Sequence, residues 1–484
     1  AGAPFTPPPA LRHAEFSTST ASITEAEGAS LDDDAFIKRI YSELIVLGKD
    51  VELLTLPPGP LEQYLAEKGA FATAQQGGAL TQHQAQHLEL LAKLYAVKGR
   101  NGLAARVYFA LAERNAQGAA VPLTERASLL DLAYKKASGE GNSGDAIRNC
   151  QSVTPATTSQ NEHGTSHVTD SAFLETLDGK LKVLGFQQRL RSAFLERARV
   201  AGMSNQPAVA NAATQAASDL ERELRPLSDM FNDFARPAEM WDLCLEMLHF
   251  SRYRDSEGDR GVARGLWDHL LASAARDGLN DSSLIRALRD ACASVKALGF
   301  KLFPSDAAFP VAHVALKLEL LAAGLWKPDG ADVHVAAVDA EDDVAECVLA
   351  STRDSFEAAH AAYARLLATP AHRAHHDRTV QREQHLQTPA LRLRLLRSAL
   401  RVLRRWEASL TANTPADGNG FVESQAGGFG SYGGGNERAR FALADVCAGY
   451  AGEARRLLQV PMSAQGTAEA LAADFEALGR RLAA

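Results

Sequence analysis

Residues 83–138 read HQAQHLELLAKLYAVKGRNGLAARVYFALAERNAQGAAVPLTERASLLDLAYKKAS. They hold three amphipathic segments of similar length, 83–98, 102–116 and 122–138, parted by GRNG and AQGAAVP. The periodicity is that of helices, with no alternation of the kind a strand shows. Connections this short make successive helices antiparallel neighbours.

The same texture runs outward in both directions. Over 31–54 the apolar residues Phe36, Ile37, Ile40, Leu44, Ile45 and Leu47 follow the i, i+3, i+4 spacing of a helix face. Asp32, Asp33 and Asp34 suit the start of that helix, because free N–H groups there attract negative charge. Pro57 and Pro58 stop it, and a short helix over 60–68 carries Pro60 first, where a missing N–H does no harm. Further helical patterns cover 170–199, 209–234, 238–253, 262–276, 282–298, 307–324, 344–367, 391–410, 437–458 and 467–482. A chain of 484 residues is too long for one core, so these helices stack on their neighbours. No fixed-period repeat is present, which predicts an all-α, irregular α-solenoid of antiparallel helices.

Three stretches break the pattern. Residues 1–30, rich in Pro, Ser, Thr and Ala, form an expected disordered N-terminal segment. Residues 139–168 are a polar insertion, and 411–436 a Gly-rich linker. Between them lie an N-terminal helical stack over 31–138, a middle solenoid over 169–410 and C-terminal helices over 437–484. Helical texture on both sides marks the last two breaks as insertions within a stack.

The composition excludes several classes. Hydrophobic residues make up 46% and charged residues 23%, which are globular values. A formal net charge of −8 gives no general reason to hold nucleic acid. The five cysteines, Cys150, Cys244, Cys292, Cys347 and Cys447, form no CxxC, which argues against a disulfide framework or a zinc site. They are read as small core residues in a reducing compartment, where the sequon Asn280-Asp281-Ser282 stays unmodified. No apolar run reaches the ~18 residues that span a bilayer. The N-terminus is not a secretory signal. It also lacks an initiator Met, and the chain is read as a piece of something longer, or as processed.

No constellation for catalysis, cofactor or metal emerges. Residues 428–433 spell GxGxxG but stand in a low-complexity linker with no strand before them. One Phe-Gly pair there is not a repeat array. His83 with His87, and His372 with His376, have the i, i+4 spacing of zinc ligands. Neither pair has the Glu of HExxH, and His375 and His385 lie among arginines, so exposed helix histidines are the better reading. The histidine pairs are the only support for a helical enzyme.

One electrostatic feature stands out. Residues 371–405 hold nine arginines against Asp377 and Glu383, a net of +7. In the helix after Pro389, Leu393, Leu396, Leu400 and Leu403 form one face, and Arg394, Arg397, Arg401, Arg404 and Arg405 another. Just upstream, 331–346 carries Asp332, Asp339, Glu341, Asp342, Asp343 and Glu346 with no Lys or Arg, a net of −6. Two readings are open: the neighbouring helices neutralise each other, or the basic face meets an acidic partner or an anionic membrane.

Four segments resemble a known family in their order. These are 104–138, containing an L-x-x-R-x-x-x-L-x-x-A pattern, and FLETLDGKL at 173–181. The third is LERELRPLSDMFNDFARPAEMWDLCLEMLHFSRYRD from Leu220, followed by ARGLWDHLL, and the fourth is RARFALADVCAGY at 438–450. Together they are similar to the C-terminal helical half of the large inner-ring scaffold nucleoporins, the 155/170-kilodalton class in which a β-propeller precedes an α-solenoid. The resemblance spans 31–458, and the insertion at 411–436 is foreign to it. It implies an architectural, non-enzymatic subunit of the nuclear pore complex in the nuclear envelope, supporting transport of protein and RNA. It implies contacts with other inner-ring scaffold nucleoporins, with linear motifs of Gly-Leu-Phe-Gly class linker nucleoporins, and toward the outer rings. Membrane contact is expected mainly of the propeller, which these residues do not contain. The groove for linkers is expected in the C-terminal third. A vesicle-coat or tethering solenoid, with the same helical texture, is the alternative.

Overall fold

A computed structural model describes residues 30–116, 121–139, 166–252, 261–281, 283–326, 341–368, 388–412, 435–459 and 465–484. The stretches expected to be disordered lie almost wholly outside these residues, as do Asp332, Asp339, the GxGxxG and the histidines at 372, 375, 376 and 385. Contacts divide the chain into two compact units. One comprises residues 1–185 and 221–224, the other 186–220 and 225–484.

The first unit contains α1 (Ser30–Val46), α2 (Asp50–Thr55), α3 (Pro58–Lys68), α4 (Phe71–Gln75), α5 (Gln82–Val97), α6 (Asn101–Glu113), α7 (Leu123–Ser138) and the opening half of α8 (Ser166–Met203). The single helix expected over 31–54 is two, because Gly48 adopts φ +66° and turns the chain between them. Its apolar face also divides. Ile45 and Tyr41 are buried, while Phe36, Ile40 and Leu47 are exposed. α5 begins at a capping box: the Thr81 hydroxyl accepts from the Gln84 N–H, and the Gln84 side chain accepts from the Thr81 N–H at 2.9 Å. Leu61, Leu65, Leu88, Leu91 and Leu111 fill the core. Each such leucine stabilises the fold by ~1.5–3 kcal/mol relative to exposure. Sequence periodicity showed no strand, yet Ala79–Leu80 and Asn115–Ala116 pair as a two-residue parallel bridge. Chain leaving a helix carries unpaired backbone groups, and here two such exits satisfy one another.

In α7 the buried residues are Leu123, Arg126, Leu130 and Ala133, the L-x-x-R-x-x-x-L-x-x-A positions themselves. Arg126 donates to the carbonyls of Ala112 (2.6 Å), Val121 (3.3 Å) and Arg222 (3.4 Å). Two of these lie in the last turns of α6 and α9, where helix carbonyls are unpaired and partly negative. The arginine is thus a buried plug for helix ends.

The second unit continues α8 and holds most of α9 (Pro207–Arg222), then α10 (Leu227–Asp229), which runs on as a π-helical turn (Met230–Ala235). The helix expected over 209–234 breaks because Pro226 has no N–H and sits extended at ψ 151°. Buried Gln187 repairs the gap: its Nε2 donates to the Leu220 carbonyl (2.5 Å) and its Oε1 accepts from the Arg225 N–H (3.0 Å). Next come α11 (Trp241–Phe250), α12 (Gly261–Asn280), α13 (Leu284–Leu302), α14 (Val311–Ala322), α15 (Glu341–Ser351) and α16 (Phe356–Leu367). The pattern over 344–367 is therefore two helices, parted where Arg353 and Asp354 take φ of 53° and 57°. Ser355 caps the second, accepting from the Ala358 N–H at 3.4 Å. α12 and α13 approach closely at Gly278, where a Cβ would stand 2.2 Å from the Ala287 backbone nitrogen. The last helices are α17 (Pro389–Ala412), α18 (Gly435–Arg456) and α19 (Gln465–Ala483). Leu396 and Leu403 of α17 share one core with Val348, Tyr363, Leu443, Cys447, Phe475 and Leu478.

Candidate functional site

The arginine-rich helix α17 runs through this core. Leu393, Leu396, Leu400 and Leu403 are buried as their spacing predicts, and Leu391, Leu395 and Val402 join them. So much of the helix is covered that its arginines do not form one exposed face.

Arg394 departs from the expected face. It is 7% exposed, and its Nε donates to Oε2 of Glu319 on α14 at 2.7 Å. Glu319 is fully buried, and its Oε1 also accepts from the Ser398 hydroxyl (2.6 Å) and the Tyr363 hydroxyl (3.2 Å). Burial pushes the Glu319 carboxyl above its usual range, against the pull of Arg394 and the two hydroxyls. Arg394 therefore belongs to the interior and does not share an exposed face with the other four arginines. Its partner is 75 residues away in sequence, on a helix whose lone carboxylate in an apolar run was the one available signal.

The other four arginines meet at an open cleft of about 660 Å³ among α15, α17 and α19. It is lined by Arg397, Arg401, Arg404, Arg405, Glu346 and Asp474, with Leu400, Ala470 and Leu471 supplying apolar surface. Arg405 grips Glu346 with two bonds, Nε to Oε1 at 2.9 Å and Nη2 to Oε2 at 3.0 Å. Arg401 reaches the same Oε1 at 3.3 Å, and Arg404 lies 2.9 Å from Asp474. Burial, then the neighbouring charges of Arg405 and Arg404, lower the pKa of Arg401. Acidic and basic segments thus neutralise each other at Glu346. Asp474 carried no sequence signal, because the Gly-rich stretch and α18 both separate α19 from α17.

His87 Nδ1 lies 2.6 Å from the His83 carbonyl. Among the described residues no group of three His, Cys, Asp or Glu could hold a metal ion. No described helix is long and apolar enough to cross a membrane. The motif residues pack: Trp267 is fully buried and donates Nε1–H to the Ala308 carbonyl at 2.8 Å, Phe173 meets Phe109 edge-on at 5.7 Å, and Cys447 is in the core. The cleft presents arginine and carboxylate side chains beside apolar surface.

Comparison with known proteins gives a consistent result. The sequence model described as non-repetitive/WGA-negative nucleoporin C-terminal matches residues 29–416. The crystal structure of the Chaetomium thermophilum Nup170 CTD–Nup145N complex is similar at 16% identity and TM-score 0.57, over 94% of this chain and 72% of that chain. The structure of Chaetomium thermophilum Nup170 CTD matches at 15% identity and TM-score 0.58, over 93% and 72%. Chaetomium thermophilum Nup170 SOL matches at 16% and 0.56, over 94% of this chain and 49% of that one. At such identities the likeness shows the α-solenoid fold.

Proposed function

The chain belongs to the non-repetitive/WGA-negative nucleoporin C-terminal family, and we propose that it works as an inner-ring scaffold holding linker nucleoporins through short linear segments. It is a scaffold nucleoporin of the nuclear pore complex, at the nuclear envelope. That membership sets aside a vesicle-coat or tethering role. Catalysis forms no part of its task. The observation that carries the finer reading is the open cleft among α15, α17 and α19, which pairs apolar surface with hydrogen-bond donors on a rigid helical stack. It lies in the C-terminal third of the chain. A related protein, Nup170 CTD, was crystallised in complex with Nup145N, which supports a partner of the nucleoporin kind. Contacts toward outer rings and membrane are a further part of this reading.

Crosslinking mass spectrometry on intact nuclear envelopes tests it. Crosslinks from residues 388–484 to Gly-Leu-Phe-Gly class linkers and inner-ring nucleoporins are the expected result. Crosslinks only to coat or tethering subunits would refute it.

A further inference from the structure

Helix α1 has two apolar faces, and the described residues cover one of them. Tyr41 and Ile45 are buried, and Ile37 and Leu44 pack against the same core. Beside them Phe36, Ile40, Glu43 and Leu47 recur at intervals of four, three and four residues, which places them on one stripe of the helix. Leu47 still belongs to it, since its N–H donates to the Glu43 carbonyl at 2.9 Å. Phe36 is 66% exposed, Ile40 38% and Leu47 65%. Single apolar residues on a surface are ordinary, but a row of them marks an interaction face. Arg39 and Glu43 lie toward one edge of the stripe, exposed, and form no ion pair among the described residues.

We infer that the stripe of Phe36, Ile40 and Leu47 is a self-association surface, packing antiparallel on the same stripe of a second copy of this chain. The spacing is that of a helix-on-helix seam, where apolar residues three and four apart interlock. Charge complementarity selects the occupant. An antiparallel pair with its two-fold axis at the level of residues 41 and 42 sets Phe36 against Leu47 of the second copy. The same axis brings Arg39 beside Glu43 of the second copy, twice over, because like edges meet in an antiparallel pair. A parallel pair would set Arg39 against Arg39 and Glu43 against Glu43. From Phe36 to Leu47 the stripe covers only ~16 Å of helix, so the contact belongs with weak, reversible interfaces. A lipid surface fits poorly, because Glu43 interrupts the stripe with a carboxylate. Self-association of this kind is independent of the linker reading.

Sedimentation velocity of the 484-residue chain over about 1–200 μM reads the assembly state directly. A rise from monomer toward dimer with concentration is expected. Phe36→Asp with Leu47→Asp, both at exposed positions, abolishes that rise while far-ultraviolet dichroism stays as in wild type. Arg39→Glu makes both edge contacts acidic and Glu43→Arg makes both basic, so each alone weakens the dimer about tenfold. Mixed in equal amounts, the two variants oppose unlike charges at both contacts and dimerise at least as tightly as wild type. A misfolded chain cannot imitate that recovery, and neither can an ion pair within one helix. Monomer at every concentration overturns the inference. So does a dimer that survives Phe36→Asp with Leu47→Asp, or a mixture no tighter than its components. Retention by phosphatidylserine-rich vesicles without self-association also overturns it.

Discussion

Replacing Arg394 with Met keeps a long unbranched side chain and deletes one buried charge. Glu319 then stays fully buried with only the hydroxyls of Ser398 and Tyr363, at 2.6 and 3.2 Å, as donors. Removing one member of a buried pair costs ~3–5 kcal/mol, because the other charge remains desolvated. Glu319→Met removes the carboxylate that Arg394 pairs with in the interior and is likewise destabilising. The double variant removes both charges. Ser398 can then bond a carbonyl one turn back in α17, and the orphaned Tyr363 hydroxyl costs about 1–3 kcal/mol. The double variant is therefore expected within ~2 kcal/mol of wild type, well below the sum of the singles. All four tryptophans, at 241, 267, 326 and 406, lie in the second unit, so their fluorescence during urea unfolding reports that unit alone. The pH dependence has a definite sign. Burial raises the Glu319 pKa above its unfolded value. The Arg394→Met variant is thus most stable in acid and loses ground as pH rises through the folded value. A single-variant loss below ~1 kcal/mol, or a double-variant loss equal to the sum of the singles, would refute the reasoning.

Two further outcomes follow from packing and burial. Gly278→Ala places a Cβ 2.2 Å from the Ala287 nitrogen, so α12 and α13 must part, whereas Gly265→Ala on the same helix meets open space. The first is expected to destabilise by ~1–3 kcal/mol and the second to stabilise by ~0.5–1 kcal/mol, read as opposite shifts of the urea midpoint. His360 contacts the Tyr450 hydroxyl at 3.1 Å and packs near Trp406, and burial lowers its pKa. Wild type therefore loses stability as pH falls below the ordinary histidine value of about 6.5, because the unfolded chain takes up the proton first. His360→Phe flattens that dependence, measured by unfolding midpoints at neutral and mildly acid pH.

The sequence by itself determined the all-α class, the antiparallel order and most of what faces inward. The stripe Leu123, Arg126, Leu130, Ala133 and the stripe Leu393, Leu396, Leu400, Leu403 are buried as spaced. Burial of apolar area acts on each helix face, so its imprint is local and periodic. Breaks at Gly48 and Pro226 were written in the residues, although the periodicity on either side masked them. The tertiary structure alone decided which arginines lie in the interior. Arg394 and Arg397 stand one turn apart on α17, yet one is sealed against Glu319 and the other lines a cleft. That difference depends on α14 and α19, far apart in the second unit's sequence, meeting the same helix. Charge pairing is set by which helices touch, a property of the stack that no local period records.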